Sequence, residues 1–560
     1  MCIRDRQIDR ALAQRFGKKE NVILWHISNE FGGNFKDSTC HCEKCQKKFR
    51  EWLKNKYGTL DKLNASWWTG FWSHKYTDWD QIHSPSPQGE CLTTALTLDW
   101  KRFSSEQITD FCKMEADALR EFSDLPTTTN MMGFFKGVDY NTLKNAVDII
   151  SWDNYPFWHE RKDEVPEAVY TSAGNALMRS LKREPFLLME STPSSVSWRS
   201  HNPLKRPGMH MLSSMQAVAH GADSVQYFQW RKSRGGYEKF HGAVVDHKNG
   251  SDTRTFREVT EVGKRLEHLS GGIKTFLNRA KAAIVFDWEN WWAVEDTSGP
   301  RQDLDYVKCV TDHYRAFWEC GLDVDFVSMD DDFSGYRLLA APLNYMYKKG
   351  YSEKVRAFVE AGGTYVTTYF SGIVNETDLC FIGRHPLEDV LGVVSEEMDA
   401  PSKEFENCFD YNGKEYPAYT MCDIVHAKAK TEIYSVYKKD FYKGCPVVTE
   451  NAYGSGRAYY LSAESDQRFL SAFYKDVFIK AGLLKEASSA DRILKRLPHG
   501  VTAAKREDET GRKGLVFVMN FNDRQVRLEG IGKQIDAESG EVYENVLEMA
   551  PFSCTILKLK

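Results

Sequence analysis

Two glutamates, Glu30 and Glu190, each close a short apolar run: VILWHIS, followed by Asn29 and Glu30, and PFLLMEST. Glutamate is a poor strand residue and is costly to bury alone. Two of them at the ends of separate strand-like runs call for a chemical use. A carboxyl pair suits glycoside cleavage, in which one protonated group assists the leaving oxygen while an ionised one attacks the anomeric carbon. A spacing of ~5–5.5 Å gives retention of configuration, and a wider gap gives inversion. Asn29, beside Glu30, could hydrogen-bond a sugar 2-hydroxyl, a contact that strengthens in the transition state. The plainer reading of either glutamate is a buried ion-pair partner. Their shared register relative to their runs weighs against it.

A second cluster is Cys40, Cys42 and Cys45, which open a helical stretch, CEKCQKKFREWLKNKYG. Three thiolates supply three corners of a tetrahedral zinc site that needs a fourth ligand. The site would be structural, because the carboxyl chemistry needs no metal. The other ten of the 13 cysteines are scattered without pairing logic. That usage fits reduced thiols and a cytoplasmic location.

These residues must be held by elements that bring distant positions together. After 22–28 come β-prone runs at 126–133, 147–156, 185–192 and 224–231, separated by helical patterns at 94–122, 165–182, 208–220 and 252–270. Buried parallel strands joined by crossover helices give this rhythm. Five units are visible where a closed (β/α)8 barrel needs eight, so the expectation is a partial TIM barrel whose first three units are missing. An open doubly wound sheet is the rival. It lacks support here, since no Gly-rich phosphate turn follows the first strand. In a barrel both glutamates face one mouth.

Residues 280–490 read as a second α/β unit with a flavodoxin or class I amidotransferase-like layout. Its runs are 281–287, 323–327, 336–342 and 363–370, with helices near 303–321 and 352–361. Amidotransferase chemistry needs a nucleophilic cysteine on a Gly-flanked elbow. Cys309, Cys320, Cys380, Cys408, Cys422 and Cys445 all lack such flanks, which leaves a non-catalytic unit for assembly. From 491 to 560 short alternating runs, GLVFVMNF, RQVRLEG and CTILKLK, predict a small antiparallel β-sandwich. The expected domains are thus 1–279, 280–490 and 491–560.

Composition narrows the partners. A net charge of -5 over 560 residues leaves no basic stripe for nucleic acid. No run approaches the ~20 apolar residues of a membrane span. Aromatic residues make up 13%, including 15 Trp and 26 Tyr. Such rings suit the C–H faces of sugars, although aromatic cores are the commoner use.

WHISNEFGG, the downstream C-x-C-x2-C, LLMESTPSSVSW, AHGADSVQYFQWR and EKFHGAV, in this order, resemble glycoside hydrolase family 42, the β-galactosidases of the large retaining barrel clan. The similarity covers the whole chain and is strongest over 21–290. The resemblance implies a retaining β-galactosidase with Glu30 as acid/base and Glu190 as nucleophile. It implies sugar contacts from Trp198, Glu238 and His241, a zinc site at the three cysteines, and a homotrimer built through the middle unit. Read without it, Trp198 could simply pack, and Glu238 and His241 could form a surface ion pair on a loop rimming the mouth. Tyr155 and Trp230, at the ends of neighbouring runs, are further candidates for the pocket wall, with barrel packing as the alternative. An α-L-arabinopyranosidase of the same clan, or an inactive carbohydrate-binding remnant, are the rival functions.

The leading MCIRDR resembles translated adapter sequence, and the expected start of the protein lies upstream. With it would go the fourth zinc ligand and an arginine that the family uses at the sugar. On that expectation this chain is poorly soluble and nearly inactive, and the function belongs to the intact parent.

Overall fold

The computed structural model describes residues 2–33, 39–85, 93–273, 276–484, 493 and 497–559. Helix α1 (Cys2–Phe16) precedes strand β1 (Trp25–His26), and α2 (Glu43–Tyr57) and α3 (Leu60–Ser66) lead into the long α4 (Thr94–Arg120). The alternation then runs β2 (Thr127–Met131), α5 (Tyr140–Leu143), β3 (Ile149–Asp153), α6 (Val165–Lys182), β4 (Phe186–Glu190), α7 (Met209–Ala219), β5 (Ala222–Val225) and α8 (Arg254–Ile273). The five strands form one parallel sheet in sequence order, an open section of barrel.

This sheet departs from the apolar pattern expected of buried parallel strands. β2 reads TTTNM and is buried throughout. Two of its three hydroxyls find partners: Thr127 Oγ1 donates to Asp148 Oδ2 and Thr128 Oγ1 to the Ile149 carbonyl, both at 2.8 Å, while Thr129 Oγ1 is buried with no hydrogen-bond partner. Pairing of most of these buried polar groups is what lets a polar strand stand here.

Two expectations are corrected at the ends of the sheet. The run 22–28 is not a continuous buried strand, because only Trp25–His26 pairs and Ile23 is 74% exposed. β1 hydrogen-bonds to β2 alone among the described residues, so its other side has no sheet to bury it. At the far end, β5 starts two residues earlier than expected. Residues 226–231 leave the sheet, where the Phe228 N–H donates to the Ser191 carbonyl at 3.0 Å and the Gln229 N–H to the Gly242 carbonyl at 3.3 Å.

The second unit is a seven-stranded mixed sheet. Ala282–Val285, Val324–Val327, Leu338–Ala341, Thr364–Thr368 and Gly456–Leu461 run parallel, and Pro446–Tyr453 and Glu432–Val436 add an antiparallel edge. A separate antiparallel sheet, built on the long strand Lys414–Ala427, was not anticipated. The third unit pairs Val501–Glu507, Gly514–Asn520 and Ser553–Lys558, with Val526–Glu529 against Val546–Met549. Among the described residues no helix is long and apolar enough to cross a membrane.

Charged side chains join the units. Between α4 and the second unit runs a ladder of alternating sign. Lys56 meets Asp99 at 2.6 Å, Asp99 meets Arg102 at 2.8 Å, and Arg102 continues to Glu289. Lys348 then bridges Glu289 at 3.0 Å and Asp287 at 2.9 Å.

The third unit is bolted to the first by Arg506, which is wholly buried. Its guanidinium donates to the carbonyls of Phe276, Val218 and Ala222 and to Asp223 Oδ1, at 2.9 to 3.2 Å. Arg506→Met keeps the stem and removes all four donors. The expected cost is about 3 kcal/mol, since charged hydrogen bonds to buried carbonyls are lost together. At ~2–4 °C per kcal/mol for a unit of this size, melting falls by roughly 6–12 °C in differential scanning calorimetry. An unchanged melting temperature would remove Arg506 from that role.

Candidate active site

The parallel register does most of the positioning. β2 and β3 set Asn130 beside Ser151, and β3 and β4 set Asp153 beside Glu190. The Asn154 N–H donates to the Glu190 carbonyl at 2.9 Å, which continues that register past the strand. Glu30 lies four residues beyond β1, in a bend where Ser28 and Glu30 both have positive φ. Its backbone N–H donates to Asn130 Oδ1 at 2.9 Å, which fixes the bend over the end of β2.

The result is a tight acidic cluster. One carboxyl oxygen each from Glu30, Asp153 and Glu190 lie within 4.8 Å of one another. Tyr155 donates its hydroxyl to Glu190 Oε2 at 2.7 Å. The Asn130 amide donates to Asp153 Oδ2 at 2.6 Å and to Asn29 Oδ1 at 3.0 Å, and it reaches Glu190 Oε1 at 3.4 Å. Burial first, and then the charge of Glu190, raise the Glu30 carboxyl above its ordinary range. Burial, followed by the charges of Glu190 and Glu30, pushes Asp153 up to about 9. Carboxyls crowded in this way cannot all ionise, so the cluster holds both a proton donor and an anion at neutral pH.

An aromatic wall stands beside the cluster. Trp198 stacks on His241 with ring centroids 5.0 Å apart, and Tyr155 meets Trp198 edge-on at 5.0 Å. Trp198 is 41% exposed and offers one face to the opening. Glu238 is half-buried and its charge reaches Glu30. Asn29 is exposed beside Glu30. Trp230 lies far out, at 63% exposure.

His241 is corrected. The sequence suggested a residue on the rim, but the ring is fully buried beneath Trp198. Its Nε2 donates to the Phe228 carbonyl at 2.9 Å, and Nδ1 is buried with no hydrogen-bond partner. Burial lowers its proton affinity, so the ring is neutral with Nδ1 as an acceptor. The cause is a fold-back at Gly242, whose N–H donates to the Ser195 carbonyl at 2.7 Å. A Cβ there would sit 2.5 Å from Ser194 Oγ and 2.6 Å from Thr192 Oγ1, so only glycine permits the approach.

Two functional residues escaped the sequence reading, Asn130 and Asp153. Both carried the same signal as the glutamates, a polar residue at the end of a β-prone run. Asn and Asp are so common in turns that the signal passed as punctuation.

Apart from this cleft, the sulfurs of Cys40, Cys42 and Cys45 lie within 4.8 Å of one another. They sit at the start of α2, where the Cys45 backbone N–H pulls the Cys42 thiol down to about 7. Three soft donors at this spacing fit three corners of a metal site, and among the described residues no fourth such donor joins them.

Comparison with known proteins agrees with this geometry. Residues 4–269 match the family described as beta-galactosidase, glycoside hydrolase family 42, and residues 280–484 match the beta-galactosidase trimerisation domain. A β-galactosidase of Alicyclobacillus acidocaldarius is 47% identical over 531 residues, covering 92% of this chain and 74% of that protein. The chain belongs to glycoside hydrolase family 42. A second family 42 relative, the β-galactosidase of Clostridium perfringens, is 43% identical over 99% of this chain and 81% of its own length. The crystal structure of the Rahnella sp. R3 β-galactosidase superposes with a TM-score of 0.93 at 45% identity, covering 100% of this chain and 81% of that one. This family 42 chain is accordingly a glycoside hydrolase, and its open five-stranded sheet is a section of the family's barrel.

Proposed function

We propose that this chain hydrolyses terminal, non-reducing β-D-galactose residues by double displacement, with Glu190 as nucleophile and Glu30 as general acid/base. The observation that carries the reading is the approach of the two carboxyls to within 4.8 Å across one cleft. That spacing suits retention, because inversion needs room for a water between the carboxyl groups.

Glu190 attacks the anomeric carbon while Glu30 delivers its proton to the leaving oxygen. Tyr155 holds Glu190 in place through Oε2, and Oε1, which the Asn130 amide reaches at 3.4 Å, is the atom that attacks. Glu30, now an anion, then takes a proton from the water that releases galactose. As the pH rises past the raised pKa of Glu30, the proton it must donate is gone and turnover falls.

For the sugar itself, Trp198 supplies a stacking face, Asn29 a partner for the 2-hydroxyl, Glu238 an acceptor, and His241, beneath Trp198, a further acceptor in its unpartnered Nδ1. The three cysteines, with a fourth donor from elsewhere, would hold a structural zinc that braces the start of α2 and takes no part in the reaction. Residues 280–490 are the proposed assembly unit of a homotrimer, set between a catalytic unit at 1–279 and a sandwich at 491–560. The boundary near 490 falls outside the described residues. A location in the reducing cytoplasm is part of the same reading, on the scattered spacing of the cysteines in the sequence.

The test is the anomer released. Nitrophenyl β-D-galactoside, followed by proton NMR, is expected to give β-galactose first, with α-galactose appearing only by mutarotation. Initial α-galactose would mean inversion and would overturn the double-displacement reading. Faster cleavage of nitrophenyl α-L-arabinopyranoside would shift the substrate to that sugar.

A further inference from the structure

We propose that Asp153 is a positioning residue of the cleft, a neutral carboxyl that donates a hydrogen bond to Glu30 and holds it against Glu190. The inference rests on the reading of Glu30 and Glu190 as the reacting pair, which uses two carboxyls and leaves the third without a task.

The strand register delivers Asp153 to this place, opposite Glu190 in β4, and it is only 7% exposed. Its Oδ2 accepts the Asn130 amide at 2.6 Å. Its Oδ1 is buried and receives a hydrogen bond from no donor. The carboxyl of Glu30 faces Asp153, with one oxygen of each within 4.8 Å. An ionised carboxylate can only accept, so two of them face to face leave both oxygens unsatisfied and repelling. A proton between Asp153 and Glu30 satisfies both and removes one charge from a group of three.

The surroundings keep that proton in place. Burial and the two glutamates push Asp153 up to about 9, so it stays neutral through the working range. The charges acting most on Asp153 and Glu30 are themselves carboxylates, Glu238 included. His26, on β1, has its proton affinity lowered by burial and is neutral. Tyr155 and Tyr140 are held in the phenol form by burial.

The role in the cycle follows from the proton count. When Glu30 gives its proton to the leaving oxygen it becomes an anion, and the Asp153 O–H remains as a donor to it. When Glu30 next takes a proton from water, Asp153 has kept its own. No proton of Asp153 is transferred at any stage.

The experiment compares Asp153→Asn and Asp153→Ala in the full chain, using nitrophenyl β-D-galactoside across the pH range. An amide is also neutral and also a donor, so Asp153→Asn is expected to keep kcat/KM within about threefold and leave the alkaline limb unmoved. Asp153→Ala removes the donor and is expected to lower kcat about 100-fold with little change in KM. If Asp153 were ionised, Asp153→Asn would delete a charge beside Glu30 and move the alkaline limb down by about one pH unit or more. That shift, or full kcat in the alanine variant, overturns the proposal.

Infrared spectroscopy with isotope-labelled aspartate gives a readout that needs no turnover. A protonated carboxyl band at neutral pH, lost in Asp153→Asn, is expected, and its absence from the unsubstituted chain overturns the proposal. Failure of the catalytic reading would show separately, as turnover surviving the loss of Glu190.

Discussion

Glu190→Gly is expected to abolish turnover, by about 10⁴-fold or more, while leaving galactose binding intact. Removing the carboxylate takes away the atom that bonds to the anomeric carbon, and nothing else in the cleft can replace it. Asp153 is neutral and buried, and Glu30 lies on the leaving-group side. The glycine leaves a hole next to the Tyr155 hydroxyl, which loses its acceptor. Azide is small enough to enter and is itself an anion, so partial activity returns in its presence. It attacks from the face that Glu190 occupied, so the product expected by NMR is α-galactosyl azide. A variant that turns over at the rate of the unsubstituted chain would end the assignment of Glu190.

Glu30→Ala is expected to separate substrates by their leaving groups. Protonation matters when the departing oxygen is a poor leaving group, as in lactose, and general acid assistance is worth ~10²–10⁴ in rate. For lactose, kcat/KM should fall by about 10³-fold. With a dinitrophenyl galactoside the bond breaks without help, and kcat/KM should stay within about tenfold of its starting value. Its kcat should fall further than that, because the second half-reaction still lacks a base to activate water. Azide then intercepts the galactosyl-enzyme and gives the β-azide, the opposite anomer from the Glu190 variant. The two anomers together assign the two roles. Equal loss on both substrates would contradict Glu30 as the acid.

The carboxyl pair was legible in the sequence because each glutamate breaks a local rule, a costly side chain at the end of a buried run. Asp153 and Asn130 obey the local rules, and their importance comes from register between strands, which no single segment encodes. The alternation of strand and helix predicted β2, β3 and β4 to within a few residues, since those runs are flanked on both sides in the folded sheet. β1 fell short because its burial depends on a neighbour, and it has one on a single side. His241 was misplaced for a related reason. Its burial follows from Gly242 docking on Ser195, a contact between segments far apart in sequence. In the second unit the long strand Lys414–Ala427 changes sheet partners along its length, pairing first with Asn407–Tyr411 and then with Val393–Asp399. Its polar alternation therefore never matches one period for long.

The ladder from Lys56 through Asp99, Arg102 and Glu289 to Lys348 has a further effect on the cleft. An ion pair taken out of water returns little net free energy, since desolvation offsets most of the attraction. Alternating signs do select one alignment, however, because sliding the second unit along α4 by a single helical turn would bring like charges together. The ladder works as a key rather than as glue. It sets the angle at which the two bodies meet, so the loop after β2, whose Phe135 and Lys136 carbonyls accept from the Trp288 and Trp292 indoles at 3.0 and 2.7 Å, is held in one place beside the strand that carries Asn130.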